Sequence, residues 1–348
     1  MKKVICAISG GIDSSVAAAL LKRAGFNVTG VFMNLVNLPR FQEVEKRAKM
    51  IAKILKIPFL SLDLRKEFKK RIINCFLAGY KKGITPNPCV ACNKEIKFGL
   101  LLEKALALEA DFIATGHYVR KNLKKSTGGE KFKFSLLRAR DKEKDQSYFL
   151  WMLNQDQLKR ILFPIGNFTR EEVRSMAKKF KLPVLSISKS VEICFIQTTI
   201  NDFLRKHLKE KVGKIVTKDG EIIGEHKGLW FYTIGQRKGM RLSGGPYYVL
   251  DKNLKKNLLI VTKNEKDLYK KELVAKNVNW ISGKEPKLPL KVKAKIRYRH
   301  ISAIAEIRRQ LMSKNYVVFF DKPQRAITPG QSVVFYRGEE LLGGGIIC

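Results

Sequence analysis

Seven residues near the start, Ser9-Gly10-Gly11-Ile12-Asp13-Ser14-Ser15, constrain this chain more than any other stretch. An apolar run from Val4 to Ile8 precedes them, and Val16-Ala17-Ala18-Ala19-Leu20-Leu21 follows with spacing suited to a helix. Buried strand, glycine turn and helix start, in that order, aim backbone N–H groups and the positive end of a helix dipole at one spot, where an anion binds well. Gly10 and Gly11 allow close approach, and the serine hydroxyls can donate to phosphate oxygens. Asp13 repels phosphate unless a cation lies between them, and Mg²⁺ held by Asp13 would resolve the conflict. The loop has neither the spacing and lysine of a Walker A loop nor the G-x-G-x-x-G of a dinucleotide loop. A serine-capped helix after a tight Gly-Gly turn is the bland alternative.

Strands and helices then alternate. Asn27 to Met33, Phe59 to Leu64 and Asp111 to His117 read as strands; Glu43 to Leu55, Lys66 to Tyr80 and Glu95 to Leu108 read as helices. The alternation predicts an α/β domain, a parallel sheet with helices on both faces, over residues 1–204. Ligands of such sheets bind at the carboxyl ends of the strands, where the SGGIDSS loop, Met33 and Gly116-His117 all fall. Met33 suits core packing and contact with an adenine ring equally well. Lys121 to Lys133, with Gly128-Gly129, reads as a surface hairpin or loop. Thr169-Arg170-Glu171-Glu172 opens a helix like a capping box, and Pro183 to Ile196 is irregular.

From about residue 205 short alternating runs take over. Lys214 to Val216, Gly228 to Tyr232, Tyr247 to Leu250 and Leu258 to Thr262 predict a small, mostly β central domain over 205–271. Val274 to Trp280, Leu290 to Tyr298, Ala303 to Arg309, Tyr316 to Phe320, Ser332 to Tyr336 and Ile346-Ile347 predict a β-barrel over 272–348.

The 69 Lys and Arg outnumber the 31 Asp and Glu, a net charge of +38 that points to a polyanionic partner such as RNA. The lysines are spread along the chain, which disfavours a membrane-surface helix. No basic-then-apolar leader precedes the first strand and no apolar stretch reaches membrane length, so the expectation is a cytoplasmic protein. With no such leader, the six cysteines suggest chemistry or metal and not a disulfide framework. Cys6 and Cys75 read as plain core residues. Two prolines stiffen the approach to Cys89-Val90-Ala91-Cys92, and a helix expected to start near Asn93 would place Cys92 at its N-terminus beside Lys94 and Lys97. That position predicts a lowered pKa and a good nucleophile. Cys89-x-x-Cys92 by itself leaves redox pair, metal half-site and chance open. Cys194 lies in Ile193-Cys194-Phe195-Ile196, and the irregular lead-in predicts a loop.

The pattern SGGIDSS resembles the loop of the N-type ATP pyrophosphatases. Nearly the whole chain resembles the bacterial tRNA-specific 2-thiouridylases (tRNA-uridine 2-sulfurtransferases), through SGGIDSS, GVFM, TPNPCVACNKEIKFG, ATGHY, KDQSYFLW, ICFIQ, YTIGQRKG, KIRYRH, ITPGQSVVFY and LLGGGII. The resemblance implies ATP on Ala7, Ile8, Ser9, Gly10, Gly11, Ile12, Asp13, Ser14, Met33 and Gly116. It implies adenylation of the C2 oxygen of the wobble uridine, then sulfur delivery from a persulfide on Cys194. Cys92 would be the nucleophile of the transfer, able to end in a disulfide with Cys194. Activating a stable carbonyl before a sulfur nucleophile displaces its oxygen is coherent chemistry. The same resemblance implies target-base contacts at Asn87, Pro88 and Cys89. It implies tRNA contacts at His117, Lys144, Asp145, Gln146, Arg297, Tyr298 and Gln331. It also implies lysine, glutamine and glutamate tRNAs as substrates, a sulfur-relay or cysteine desulfurase donor protein, and a monomer.

Cys89 departs from the family, many members of which carry aspartate there. Cys89, Cys92 and Cys194 could instead hold an iron–sulfur cluster with one open iron. The stretch Asn34 to Phe41 is shorter than usual, and Glu192 departs from the usual lead into the ICFI segment. Another pyrophosphate-loop enzyme, a small-molecule ligase or a lysidine-type tRNA modifier, would explain SGGIDSS but not the paired cysteine segments.

Overall fold

A computed structural model describes residues 1–125, 132–183 and 193–348. The expected Gly128-Gly129 turn, Glu192 and most of the irregular stretch before Cys194 lie outside the described residues. The N-terminal part alternates β1 (Lys3–Ala7), α1 (Ile12–Arg23), β2 (Asn27–Asn34), α2 (Pro39–Ile54) and β3 (Phe59–Asp63). A long helix α3 follows, built from Arg65–Phe68, Lys69–Ile73 and Asn74–Lys81. Then come α4 (Pro88–Cys92, Asn93–Leu100 and Leu101–Ala107) and β4 (Phe112–Ala114). The hairpin β5 (Val119–Lys125) and β6 (Phe132–Arg138) leads through α5 (Gln155–Lys159) and β7 (Ile161–Leu162) to α6 (Arg170–Lys179) and α7 (Ile200–His207).

The first sheet is parallel throughout, in the order β3-β2-β1-β4-β7. Its strand order reverses direction at β1, which lies between β2 and β4. The crevice at that switch point is where an open α/β sheet receives a ligand. The two faces of β1 follow from side-chain alternation. Val4, Cys6 and Ile8 pack in a cluster with Val16, Ala17 and Leu21 of α1 and Val173 and Ala177 of α6. Ile5 and Ala7 pack on the opposite face with Phe98, Leu101 and Ala105 of α4.

The remaining strands form two sheets. The central one joins β8 (Gly213–Thr217), β9 (Ile222–His226), β10 (Tyr248–Asn253) and β11 (Leu258–Thr262) in the order β10-β11-β8-β9. The expected strand at Gly228–Tyr232 is instead a single 3₁₀ turn over Leu229–Phe231, because Gly228 adopts φ 153 and turns the chain. The C-terminal sheet comprises β12 (Tyr269–Trp280), β13 (Leu290–Lys295), β14 (Ala303–Arg309), β15 (Tyr316–Arg325), β16 (Ser332–Arg337) and β17 (Glu340–Ile347). It closes through β12–β17 pairing into a six-stranded antiparallel barrel. β13 ends at Lys295, short of the expected Tyr298, so Arg297 and Tyr298 lie on the loop after it.

The barrel does not stand apart. β6 pairs with β17 through Leu137 opposite Glu340 and Leu136 opposite Leu341, so the hairpin of the N-terminal part extends the barrel sheet. Trp151 and Tyr148, both fully buried, reach Ser332: Trp151 Nε1 donates to its Oγ at 3.0 Å and the Tyr148 hydroxyl donates to its carbonyl at 2.9 Å. Among the described residues no helix is long and apolar enough to cross a membrane.

Cys75 is exposed and not the core residue its apolar neighbours suggested. The large buried side chains of α3 are Phe68, Ile72, Phe76 and Tyr80, a spacing of four residues, wider than the 3.6 of an α-helix. Lys69–Ile73 is a π-type turn, whose extra residue rotates the helix and turns Cys75 outward.

Candidate active site

The SGGIDSS loop is built as an anion cradle. Ser9 N donates to Ser14 Oγ at 3.0 Å, the two serine hydroxyls lie 3.1 Å apart, and Ser15 Oγ donates to the Gly11 carbonyl at 2.7 Å. The N-cap of α1 is Gly11, which has no side chain to satisfy the first helical N–H groups. The serine-capped helix is therefore not what forms. Gly10 sits at φ 68, and a Cβ there would come within 2.9 Å of the Val44 carbonyl oxygen.

Gly116 closes the loop from the end of β4. A Cβ on it would stand 2.5 Å from Ser14 N and 2.6 Å from Asp13 C, both backbone atoms that cannot yield. Gly116→Ala is therefore expected to push the loop off β4 and abolish nucleotide binding, while circular dichroism stays native; titration calorimetry with an ATP analogue checks it. Asp13, in the first turn of α1, accepts a hydrogen bond at Oδ1 from the Tyr118 hydroxyl at 2.9 Å. Burial raises its pKa, while the Tyr118 hydrogen bond and the charges of Arg170, Lys144 and Arg174 pull it down. One carboxylate beside a phosphate cradle fits the way Mg²⁺ is held, through one or two carboxylates plus substrate phosphates. Met33, half-buried at the end of β2, packs against the apolar clusters on the face of the sheet that carries α4.

The cysteine segments meet beside this loop. Pro88 occupies the first turn of α4, and Asn87 caps it by accepting from Val90 N at 3.4 Å. The helix thus begins a turn earlier than the expected start at Asn93, with the proline inside it instead of leading up to it. Cys92 lies in the helix body and is buried, so the expected lowered pKa does not hold: burial pushes its thiol up to about 12, with Lys97 pulling the other way. Cys194 is exposed, on a turn anchored by Phe195, whose ring meets Phe68, Phe76 and Phe203 edge-on at 5.8, 5.4 and 5.2 Å. The Arg40 guanidinium donates to the Cys194 carbonyl. Surrounding protein and the charge of Cys89 raise the Cys194 thiol to about 11, and burial raises Cys89 too. The thiols of Cys89 and Cys194 both act electrostatically on Cys92, and Lys97 acts on all three. The fold therefore brings Cys194 to the Cys89–Cys92 helix.

A thiol with pKa near 12 holds roughly one part in 10⁴ as thiolate at pH 8, a fraction that grows tenfold per pH unit. Iodoacetamide is accordingly expected to label exposed Cys75 and Cys348 first and the buried Cys6 and Cys92 last, with Cys92 labelling still climbing above pH 10. Peptide mapping by mass spectrometry reads the order. Among the described residues no three His, Cys, Asp or Glu side chains are grouped as a single metal ion would need.

The residues expected at tRNA divide into two kinds. Lys144, Arg297 and Tyr298 are partly exposed; Tyr298 lies on Phe149 at 4.4 Å, with Lys295 over its ring at 5.5 Å. The others are held by the protein itself. His117 is buried and neutral, its pKa driven well down by burial and Lys97, with Nδ1 2.8 Å from Thr115 Oγ1. Asp145 is buried and accepts from Ala139 N, Ser147 N and Ser147 Oγ at 2.9 to 3.1 Å. Gln146 holds the Tyr118 backbone at both ends, Oε1 accepting at 3.0 Å and N donating at 2.9 Å. Gln331 Nε2 donates to the Thr85 carbonyl at 2.8 Å, tying the barrel to the segment that leads to Cys89. Sequence reasoning missed Tyr118 as Asp13's partner, and Arg170 and Arg174. Their signals were the tyrosine that ends ATGHY and two arginines four apart, one inside a capping box and one just after it. That box forms as expected, with Glu172 N donating to Thr169 Oγ1 at 3.2 Å and Thr169 N to Glu172 Oε2 at 2.7 Å.

Fold and loop together define a nucleotide-binding enzyme of the pyrophosphate-loop class. Residues 2–198 match the family described as tRNA methyl transferase HUP domain, 201–263 its PRC-barrel domain, and 270–347 the aminomethyltransferase beta-barrel domain. The chain is 44% identical over 357 residues to tRNA-specific 2-thiouridylase MnmA 1 of Clostridium tetani, covering 99% of this chain and 96% of that one. It is 44% identical over 348 residues to tRNA-specific 2-thiouridylase MnmA of Syntrophomonas wolfei, covering 99% of each. A solved structure, the U34-tRNA thiolase NcsA from Methanococcus maripaludis with its 4Fe-4S cluster, is 19% identical over 56% of this chain and 60% of its own, at TM-score 0.37. The chain belongs to the tRNA-specific 2-thiouridylase family and is a tRNA-uridine 2-sulfurtransferase.

Proposed function

We propose that the protein binds ATP on Ala7 to Ser14, with Met33 and Gly116, and uses it to adenylate the C2 oxygen of the wobble uridine in lysine, glutamine and glutamate tRNAs. AMP then becomes the leaving group in place of an oxygen that would not depart unaided. The terminal sulfur of a persulfide on Cys194 attacks C2, and AMP departs. The thiolate of Cys92 attacks the Sγ of Cys194, which forms the Cys92–Cys194 disulfide and releases the electron pair to the sulfur now on C2. A thiol reductant reopens the disulfide, and a sulfur-relay or desulfurase protein reloads Cys194. Mg²⁺ held by Asp13 would offset the charge of the departing pyrophosphate. The base must leave the anticodon stack to reach Asn87, Pro88 and Cys89. Arg297 and Tyr298 suit phosphate contact and base stacking, and the excess of +38 suits a polyanion. The reading places a monomer in the cytoplasm.

The observation that carries this is that Phe195 and Ile196 pack in one apolar cluster with Cys92, which brings Cys194 toward Cys92 across a long stretch of chain. The test uses iron-free protein, ATP, Mg²⁺, a persulfide donor and unmodified glutamate tRNA, with mass spectrometry of the digested nucleosides. Formation of 2-thiouridine supports it. Formation only after anaerobic iron–sulfur reconstitution would move the sulfur chemistry to a cluster on Cys89, Cys92 and Cys194. Formation under neither condition overturns the mechanism.

A further inference from the structure

Two arginines of α6 lie near the nucleotide loop. Arg170 and Arg174 are one turn apart on α6, so their side chains share a face. α6 packs against α1, the helix whose first turn carries Asp13. Among the described residues neither guanidinium has a hydrogen-bond or ion-pair partner, although both act on the Asp13 carboxylate. Their placement is itself secured. Asp141 accepts from Arg170 N at 3.0 Å through Oδ2 and from Lys144 N at 3.1 Å through Oδ1, which ties the start of α6 to the loop that carries Lys144.

The direction of the bound nucleotide follows from the sheet. α6 lies on the face lined by Val4, Cys6 and Ile8, whereas α4, with Cys89 and Cys92, lies on the opposite face. An ATP lying across the carboxyl edge must turn its α-phosphorus toward the thiols and the target base. Its outer phosphates then extend toward α6. Resting on the ATP reading above, we propose that Arg170 and Arg174 bind the β- and γ-phosphates of ATP and hold the pyrophosphate as it leaves. Arginine suits this through charge-assisted, two-pronged hydrogen bonds to phosphate oxygens. Both guanidinium groups act on the Asp13 carboxylate, so bound Mg²⁺ and the two guanidinium groups would share the pyrophosphate charge.

The test uses the full-length protein with Arg170→Gln, Arg174→Gln and both together. Calorimetry with Mg²⁺ and no tRNA measures affinity for α,β-methylene-ATP and, separately, for AMP; filter binding measures tRNA affinity. The double variant is expected to lose about tenfold or more in affinity for the triphosphate analogue. AMP and tRNA affinities and the melting temperature should stay at wild-type values. An equal loss for AMP and the triphosphate, no loss for either, or a loss confined to tRNA overturns the assignment. Wild-type protein that binds neither nucleotide overturns the ATP reading itself, a result distinct from the other three.

Discussion

Cys194→Ala is expected to yield no detectable 2-thiouridine while tRNA affinity and tRNA-stimulated pyrophosphate release persist. The argument is local. Cys194 is exposed on its turn, so removing the thiol should cost no more than about 0.5 kcal/mol of stability. Phe195 and not Cys194 anchors the segment, by edge contacts with Phe68, Phe76 and Phe203. Adenylation uses the loop at β1 and does not need the sulfur carrier. Nucleoside analysis and pyrophosphate release, measured on the same sample, separate the two half-reactions; loss of both would mean that Cys194 supports the fold of the site. Phe195→Ala makes the complementary case. It empties a buried aromatic position, costs about 3–5 kcal/mol, and should lose sulfur transfer with Cys194 still present.

The second large effect belongs to Asp13→Asn. Asparagine is isosteric and can still accept from the Tyr118 hydroxyl, so the loop should keep its shape. What disappears is the negative charge amid Lys144, Arg170, Arg174 and any bound Mg²⁺. Pyrophosphate release should fall by at least about 100-fold, the scale seen when a preorganised electrostatic partner is lost. Melting temperature should barely move. Neutralising a half-buried carboxylate removes a desolvation cost, and it also forfeits a favourable interaction with the α1 dipole. Retained pyrophosphate release in Asp13→Asn, by a coupled colorimetric assay, would remove the metal from the proposed chemistry.

Much of the site was readable along the chain because its parts are local. The cradle is a strand, two glycines and a helix start in succession, and its place at the carboxyl edge follows from strand–helix alternation. The barrel was readable because each strand carries its own period-two pattern, although the register that lets β6 join β17 was not. Cys92 shows the boundary. Its neighbours Lys94 and Lys97 were visible, but its ionisation depends on Pro88 starting α4 early and on the apolar cluster that then covers the thiol. Cys75 was misplaced for a related reason, since a single π-type turn in α3 rotates the helix without leaving a composition signal.

By itself the sequence determined the chemistry available: an anion loop with a carboxylate, thiols in two segments, and a strong positive charge. Those are properties of residue types at short spacing. Only the tertiary structure decided which groups work together. Phe195 seated against α3 brings Cys194 to Cys92, β4 delivers Gly116 and Tyr118 to Asp13, and α6 packed on α1 gathers Arg170 and Arg174 at the cradle. Each of these meetings joins residues far apart in the chain, and burial of apolar surface between elements, which no local spacing records, holds them in place.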